Sequence, residues 1–204
     1  MHHDSSCSTA RVVRRAGYLV MPWRNGGGTT YEIARDPAEG EFSWRLSLAL
    51  IERGGPFSNF AGYQRAISLV SGAGCVLHGI DSQPVQMSIA GTTTLFPGDA
   101  VVECELIAGP CQDLNLMVRE PGDIVSAGGQ RLGDNDPRPL VPGYANAIFC
   151  LSGPVECIGA NGARETLGEH DTMLVDPSVA ADWRIRAAGP AGAQVLMHAW
   201  FTGR

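Results

Sequence analysis

The chain has 204 residues, of which 44% are hydrophobic, and it carries a formal net charge of -6. That apolar share is enough to build a core and sets disorder aside, while the acidic balance offers no basic field for a phosphate backbone, so nucleic acid is not an expected partner. No apolar run reaches the roughly 18 to 20 residues of a membrane helix, and the polar stretch from Met1 to Arg15 does not resemble a signal peptide, so a cytoplasmic location without membrane contact is expected.

Glycine and proline are spread between short β-branched runs, the pattern of many turns separating many strands. In chain order the expected strands cover residues 44–51, 66–70, 75–77, 85–89, 100–107 and 112–119, and then 147–151, 155–158, 172–175, 183–186 and 194–201. Turn clusters bound them, among them Gly54-Gly55-Pro56 and Phe96-Pro97-Gly98-Asp99. Between the two series, residues 122–139 read as a linker or excursion. The six cysteines form no CxxC pair and mostly sit within apolar runs, as small buried hydrophobes do. His2 and His3 form no part of the expected site.

The two series resemble each other. Ser71-Gly72 recurs as Ser152-Gly153, Ala108-Gly109-Pro110 as Ala188-Gly189-Pro190, and Leu116-Met117 as Leu196-Met197, at a nearly constant spacing. Asp99 and Asp171, each between two expected strands, are placed in the same scheme. Strands joined by a Pro-Gly-Asp turn point to an all-β double-sheet jelly roll of the cupin kind. The expected fold is a cupin-like double-stranded β-helix of two tandem barrels, a bicupin. Its expected parts are residues 1–121 with the ligand site, the segment 122–139, and a smaller second half, 140–204.

The densest local signal is Pro22-Trp23-Arg24-Asn25-Gly26-Gly27-Gly28-Thr29-Thr30. It lacks the Gly-Lys-Ser/Thr of a phosphate loop, but its glycines allow the backbone to approach a ligand closely. Together with Trp44-Arg45-Leu46-Ser47, Gly55-Pro56-Phe57-Ser58, Gly62, Arg65, Pro97-Gly98-Asp99 and Asp113-Leu114-Asn115-Leu116-Met117, it resembles the HutD/Ves family in order over nearly the whole chain. The resemblance implies a cupin-like double barrel. For the HutD branch it also implies a link to bacterial histidine utilisation, through binding of a pathway intermediate that restrains the pathway.

Alternation within 44–51 places Arg45, Ser47, Ala49 and Ile51 on one face and Trp44, Leu46, Leu48 and Leu50 on the other. Asp113 and Asn115 likewise share a face, opposite Leu114, Leu116 and Val118, and their counterparts in the second series are Ala193 and Val195. The expected ligand site is therefore Asn25, Thr29, Thr30, Arg45, Ser47, Arg65, Asp113 and Asn115, with Arg45 and Arg65 on ligand carboxylates and Asp113 as the internal candidate partner of Arg45. The expected partner is a small anionic metabolite, for which the resemblance suggests urocanate or formiminoglutamate, and a homodimer is compatible with the sequence. The alternative is a metal-independent hydrolase or isomerase with Asp113 or Glu32 as general base. No cofactor and no metal is expected, because His78, His170 and His198 stand far apart without the His-x-His of metal-type cupins.

Overall fold

The structure is a computed structural model that describes residues 9–203. Three strands open the chain: β1 (Ala10–Val13), β2 (Leu19–Pro22) and β3 (Gly28–Asp36). They lead into β4 (Trp44–Ile51), β5 (Gly55–Pro56), β6 (Tyr63–Gly72), β7 (Cys75–His78), β8 (Val85–Met87), β9 (Thr93–Pro97), β10 (Glu103–Leu106) and β11 (Cys111–Arg119). A second run comprises β12 (Asp123–Leu132), β13 (Arg138–Pro139), β14 (Ala145–Ser152), β15 (Val155–Gly159), β16 (Arg164–Leu167), β17 (Thr172–Val175), β18 (Trp183–Ala187) and β19 (Ala193–Phe201). Helix among the described residues is confined to two short 3-10 turns, Arg15–Gly17 and Ala180–Asp182.

Each run makes one large and one small sheet. The first unit holds the order β2-β3-β4-β11-β6-β9 facing β5-β10-β7-β8, and the second holds β1-β17-β14-β19-β12 facing β13-β18-β15-β16. With β1, β2 and β3 set aside, the orders match: β4-β11-β6-β9 corresponds to β12-β19-β14-β17, and β5-β10-β7-β8 to β13-β18-β15-β16. Leu116-Met117 and Leu196-Met197 occupy the equivalent strands β11 and β19 but two residues out of step, since the register matches Asp113 with Val195 and Asn115 with Met197, not with Ala193 and Val195 as the sequence repeat implied. The turns agree as well. The Gly91 amide donates to the Leu69 carbonyl at 2.8 Å and the Leu69 amide to that of Thr92 at 2.9 Å. In the second unit His170 donates to Cys150 at 2.8 Å and Cys150 to Asp171 at 3.0 Å.

Four expectations need correction. Asp171 stands at the place of Thr92, before β17, whereas Asp99 follows β9, so these two aspartates are not counterparts. Among the described residues no strand ladder joins a large sheet to its small one, so neither pair is a closed barrel by backbone pairing. The loop after β5 is tied instead to the turn after β9 of the large sheet by Phe60 N–H to Gly98 O, 2.7 Å. The second unit is the smaller, with sheets of five and four strands against six and four, but it begins earlier than expected, at β12 within 122–139. That strand was hidden by its small residues, and the reason is steric: the Gly129 amide donates to Gly91 O at 3.1 Å, and a Cβ on Gly129 would lie 2.8 Å from Gly91 Cα. Finally, β1 pairs with β17, so the start of the chain completes the second unit's sheet.

Three apolar layers separate the four sheets. Leu46, Leu48, Leu114, Leu116 and Val118 meet Phe149, Leu174, Leu196 and Trp200 between the two large sheets. Trp44 packs on Trp200 with the rings tilted by 54° and 5.0 Å between their centres. The second unit is filled by Ile148, Val155, Leu167, Ile185 and Val195, while Ile67, Leu69, Leu77, Met87 and Phe96 fill only part of the first. Central strands such as β6 and β14 are buried on both faces, which is why they read as continuous apolar runs.

Candidate functional site

The inner face of the first large sheet carries polar groups in rows set by strand register. Met117 stands opposite Arg45 on β4 and Arg65 on β6, Asn115 opposite Ser47 and Ile67, and Asp113 opposite Ala49 and Leu69. The alternation read from sequence thus holds. Over these rows lies a cavity of about 490 Å³, covered by the segment Met21–Asn25 and by Phe57, Ser58 and Phe60. Asn25, Thr30, Arg45, Ser47, Arg65, Asp113 and Asn115 all line it, and Thr29 does not. Thr29 pairs with Leu50 and Thr30 with Ala49, so alternation turns Thr29 to the other face.

The covering hairpin is built by its own sequence. Trp23 N–H donates to Gly28 O at 2.9 Å, the Trp23 indole donates to Thr30 Oγ1 at 2.8 Å, and Asn25 Oδ1 accepts from the Gly27 amide at 2.9 Å. Gly28 must be glycine, because a Cβ there would sit 2.2 Å from the Leu50 carbonyl oxygen. From Gly28 onward the segment is strand β3, which is not among the strands expected from sequence.

The two arginines differ in kind. Arg45 donates through Nε to Glu32 Oε2 at 2.6 Å, in an ion pair largely shielded from solvent. Its partner is Glu32, neither the ligand carboxylate expected there nor the internal candidate Asp113, because the register sets Glu32 opposite Ser47, beside Arg45 on the same inner face. Arg65 has no carboxylate within ion-pairing distance among the described residues. It is 5% exposed, its guanidinium carbon lies 5.3, 5.6 and 5.0 Å from the rings of Phe57, Phe60 and Phe96, and its one protein acceptor is Ser58 O at 3.5 Å. Aromatic faces attract the cation but accept none of its directional N–H bonds in full. The three phenylalanines were not picked out from sequence as site residues, although Phe57 stands in the run Gly55-Pro56-Phe57-Ser58 and Phe96 in the turn Phe96-Pro97-Gly98-Asp99.

Five buried side-chain polar atoms lack a protein partner among the described residues, and three of them, Arg65 Nε, Asp113 Oδ1 and Asn115 Oδ1, belong to this one cavity. Buried polar atoms are ordinarily bonded, so their concentration in one place marks a site and not a core. Burial lowers the Arg65 pKa to about 10, with Asp113 acting against the shift, so Arg65 stays charged at neutral pH. Burial raises the Asp113 carboxyl to about 7, again opposed in part by Arg65.

These residues do not fit a metal. Where metal-type cupins converge imidazoles, the inner face here presents guanidinium, hydroxyl, amide and one carboxyl. No group of three or more His, Cys, Asp or Glu among the described residues is arranged to hold an ion. His78 faces Glu105 on the small sheet, His170 lies in the turn before β17, and His198 is buried between the units against Ser68 at 3.0 Å. His2, His3 and Cys7 lie outside the described residues.

A family model named HutD matches residues 15–193. An uncharacterized 21.2 kDa protein from the hutC 3' region of Pseudomonas putida is 45% identical over 112 residues, 54% of this chain and 58% of that one. Protein Ves of Citrobacter koseri is 40% identical over 102 residues, 49% and 53% of the two chains, so the matches span little more than half of these curated relatives. Among solved structures, a conserved protein of unknown function from Pseudomonas aeruginosa PAO1 superposes with TM-score 0.84 at 30% identity, covering 95% of this chain and 99% of that one. HutD from Pseudomonas fluorescens SBW25, solved in a formate condition, gives 0.75 at 33% identity, covering 94% and 98%. A salicylate 1,2-dioxygenase from Pseudoaminobacter salicylatoxidans, at 10% identity and TM-score 0.67 over 94% and 84%, shares the cupin-like fold alone. The chain belongs to the HutD family.

Proposed function

We propose that this protein, on a bicupin scaffold, binds a small anionic metabolite in the first unit and thereby modulates histidine utilisation. Urocanate and formiminoglutamate are the leading ligands. One observation carries the reading: a guanidinium, a carboxyl and an amide, each with an unbonded buried atom, share one cavity. A ligand carboxylate on Arg65 supplies charge-assisted bonds of roughly 1.5 to 3 kcal/mol. An N–H or amidine group on the same molecule answers the oxygens of Asp113 and Asn115, a description that formiminoglutamate meets at both ends. The apolar wall of Phe57, Phe60 and Met117 excludes water around it. The ligand-bearing half in this proposal lies within residues 1–121, without β1, and its partner is 140–204 together with β1 and β12.

The test is a thermal-shift titration of the full chain with urocanate, formiminoglutamate and glutamate. Binding to the native state must raise the melting temperature by mass action, by about 2.7 kcal/mol of added stability at a hundredfold excess over Kd. A concentration-dependent rise with either histidine-pathway compound is expected, and no rise with any of the three would refute the reading. A second reading, a metal-independent enzyme, is favoured by Asp113 alone, an unpartnered carboxyl held near 7 where a general base works best. Glu32 is excluded from that role by its ion pair with Arg45. Recovering the bound compound unchanged separates the binder from the enzyme.

A further inference from the structure

The charges facing the cavity fall into two groups. Arg45 and Glu32 cancel each other within their ion pair, which leaves Arg65 and Asp113 to set the balance at the depth of the site. No ion pair joins those two, although each feels the charge of the other. With Asp113 ionised the two sum to zero, and an entering carboxylate adds a net negative charge among Phe57, Phe60, Ile67 and Met117. Uncompensated charge in such surroundings is strongly unfavourable. With Asp113 protonated, the entering carboxylate neutralises Arg65, and the carboxyl O–H becomes a donor toward the bound anion.

Resting on the reading that this site takes a small carboxylate, we propose that Asp113 makes the binding proton-coupled: the anion and one proton enter together, the proton ending on the Asp113 carboxyl. The balance is simple. Carboxylate, ionised Asp113 and one proton give bound carboxylate beside neutral Asp113, with no bond made or broken in the ligand.

The surroundings of Asp113 support this role on every side. From β4 comes Arg45, already held by Glu32 of β3, and from β6 comes Arg65. From the facing small sheet and the start of β11 come only the buried thiols of Cys75, Cys104 and Cys111. Hydrogen bonding among the thiols, and burial, hold Cys75 and Cys111 well above their ordinary range, so they add no charge at neutral pH. The covering loops contribute Arg24 at the exposed rim and otherwise uncharged residues. Burial already keeps Asp113 near 7, and an anion placed on Arg65 removes the one cation that opposes that shift.

Formate, the smallest bare carboxylate, is the probe. Calorimetric titration of the full chain from about pH 6 to about pH 9, in two buffers of different ionisation heat, reads affinity and proton uptake together. Above about pH 7 the formate Kd is expected to rise by nearly tenfold per pH unit, with uptake approaching one proton per formate, while near pH 6 both effects vanish. In the isosteric Asp113→Asn variant the affinity is expected to be flat with pH. A wild-type Kd that stays constant over this range without proton uptake overturns the coupling while leaving the carboxylate site standing, as does a folded Asp113→Asn variant that keeps the slope. Absence of formate binding at every pH overturns both readings.

Discussion

At matched places on β11 and β19 the first unit carries Asp113 and Asn115 and the second carries Val195 and Met197, so one strand order encloses a polar cavity in one unit and a filled apolar core in the other. The same contrast recurs one strand away. Asn146, the counterpart of Arg65, braces the loop that enters its strand, donating to Val141 O at 2.9 Å and Tyr144 O at 2.8 Å and accepting from the Val141 amide at 3.0 Å. Arg65 leans on Ser58 O in the equivalent loop but keeps its Nε unbonded at the cavity. The ladder therefore fixes architecture, and the inward side chains alone decide whether a unit stores stability or presents chemistry.

Exchanging side chains of these two kinds breaks the comparison most sharply. Val195→Asn buries an amide in the packed second core and is expected to cost about 3 to 5 kcal/mol, combining lost apolar burial with an unsatisfied polar group. Asn115→Val in the first unit should change stability by less than about 1 kcal/mol, or raise it, while weakening ligand binding. Urea unfolding of the two variants measures both, and equal costs would dissolve the distinction between the units.

The junction between the units gives the next effect. Burial lowers the His198 pKa to about 4, so between that value and the ordinary 6.5 the unfolded chain takes up a proton that the native state refuses. Stability from this group is complete above 6.5 and lost as pH falls toward 4, by about 3 kcal/mol. Wild type should lose that much more stability than His198→Gln on acidification to pH 4. Parallel curves would mean that His198 is not held neutral between the units.

A smaller effect is expected at Gly28. Gly28→Ala forces a methyl against Leu50 O and the Trp23 ring, so a loss of about 1 to 3 kcal/mol is expected, together with weaker binding because the covering hairpin must shift. Unchanged melting temperature and affinity would show that the hairpin does not hold the cavity.

Much of this was legible before the structure. The face sharing of Arg45 and Ser47 and of Asp113 and Asn115 follows from strand period, and the repeat in Leu116-Met117 and Leu196-Met197 lands on equivalent strands, two residues out of step. What the sequence hid has particular causes. β12 is masked by Gly128 and Gly129, of which Gly129 is small because Gly91 of the other unit approaches its backbone. β3 is masked by the glycines at its start, and its bulge at Ile33 sets which residue faces Arg45, so the partner of that arginine could not be read from alternation alone. The phenylalanine cage of Arg65 joins β9 to the loop after β5, a contact between segments that no local pattern encodes.

The central claim is that Arg65 stays buried without a carboxylate partner because a ligand carboxylate completes it. Arg65→Lys keeps the charge but loses the planar fork, so the melting temperature of the ligand-free protein should stay close to wild type while the rise produced by formiminoglutamate shrinks by the equivalent of about 1.5 to 3 kcal/mol. A folded Arg65→Lys protein with the full wild-type ligand response would contradict the account.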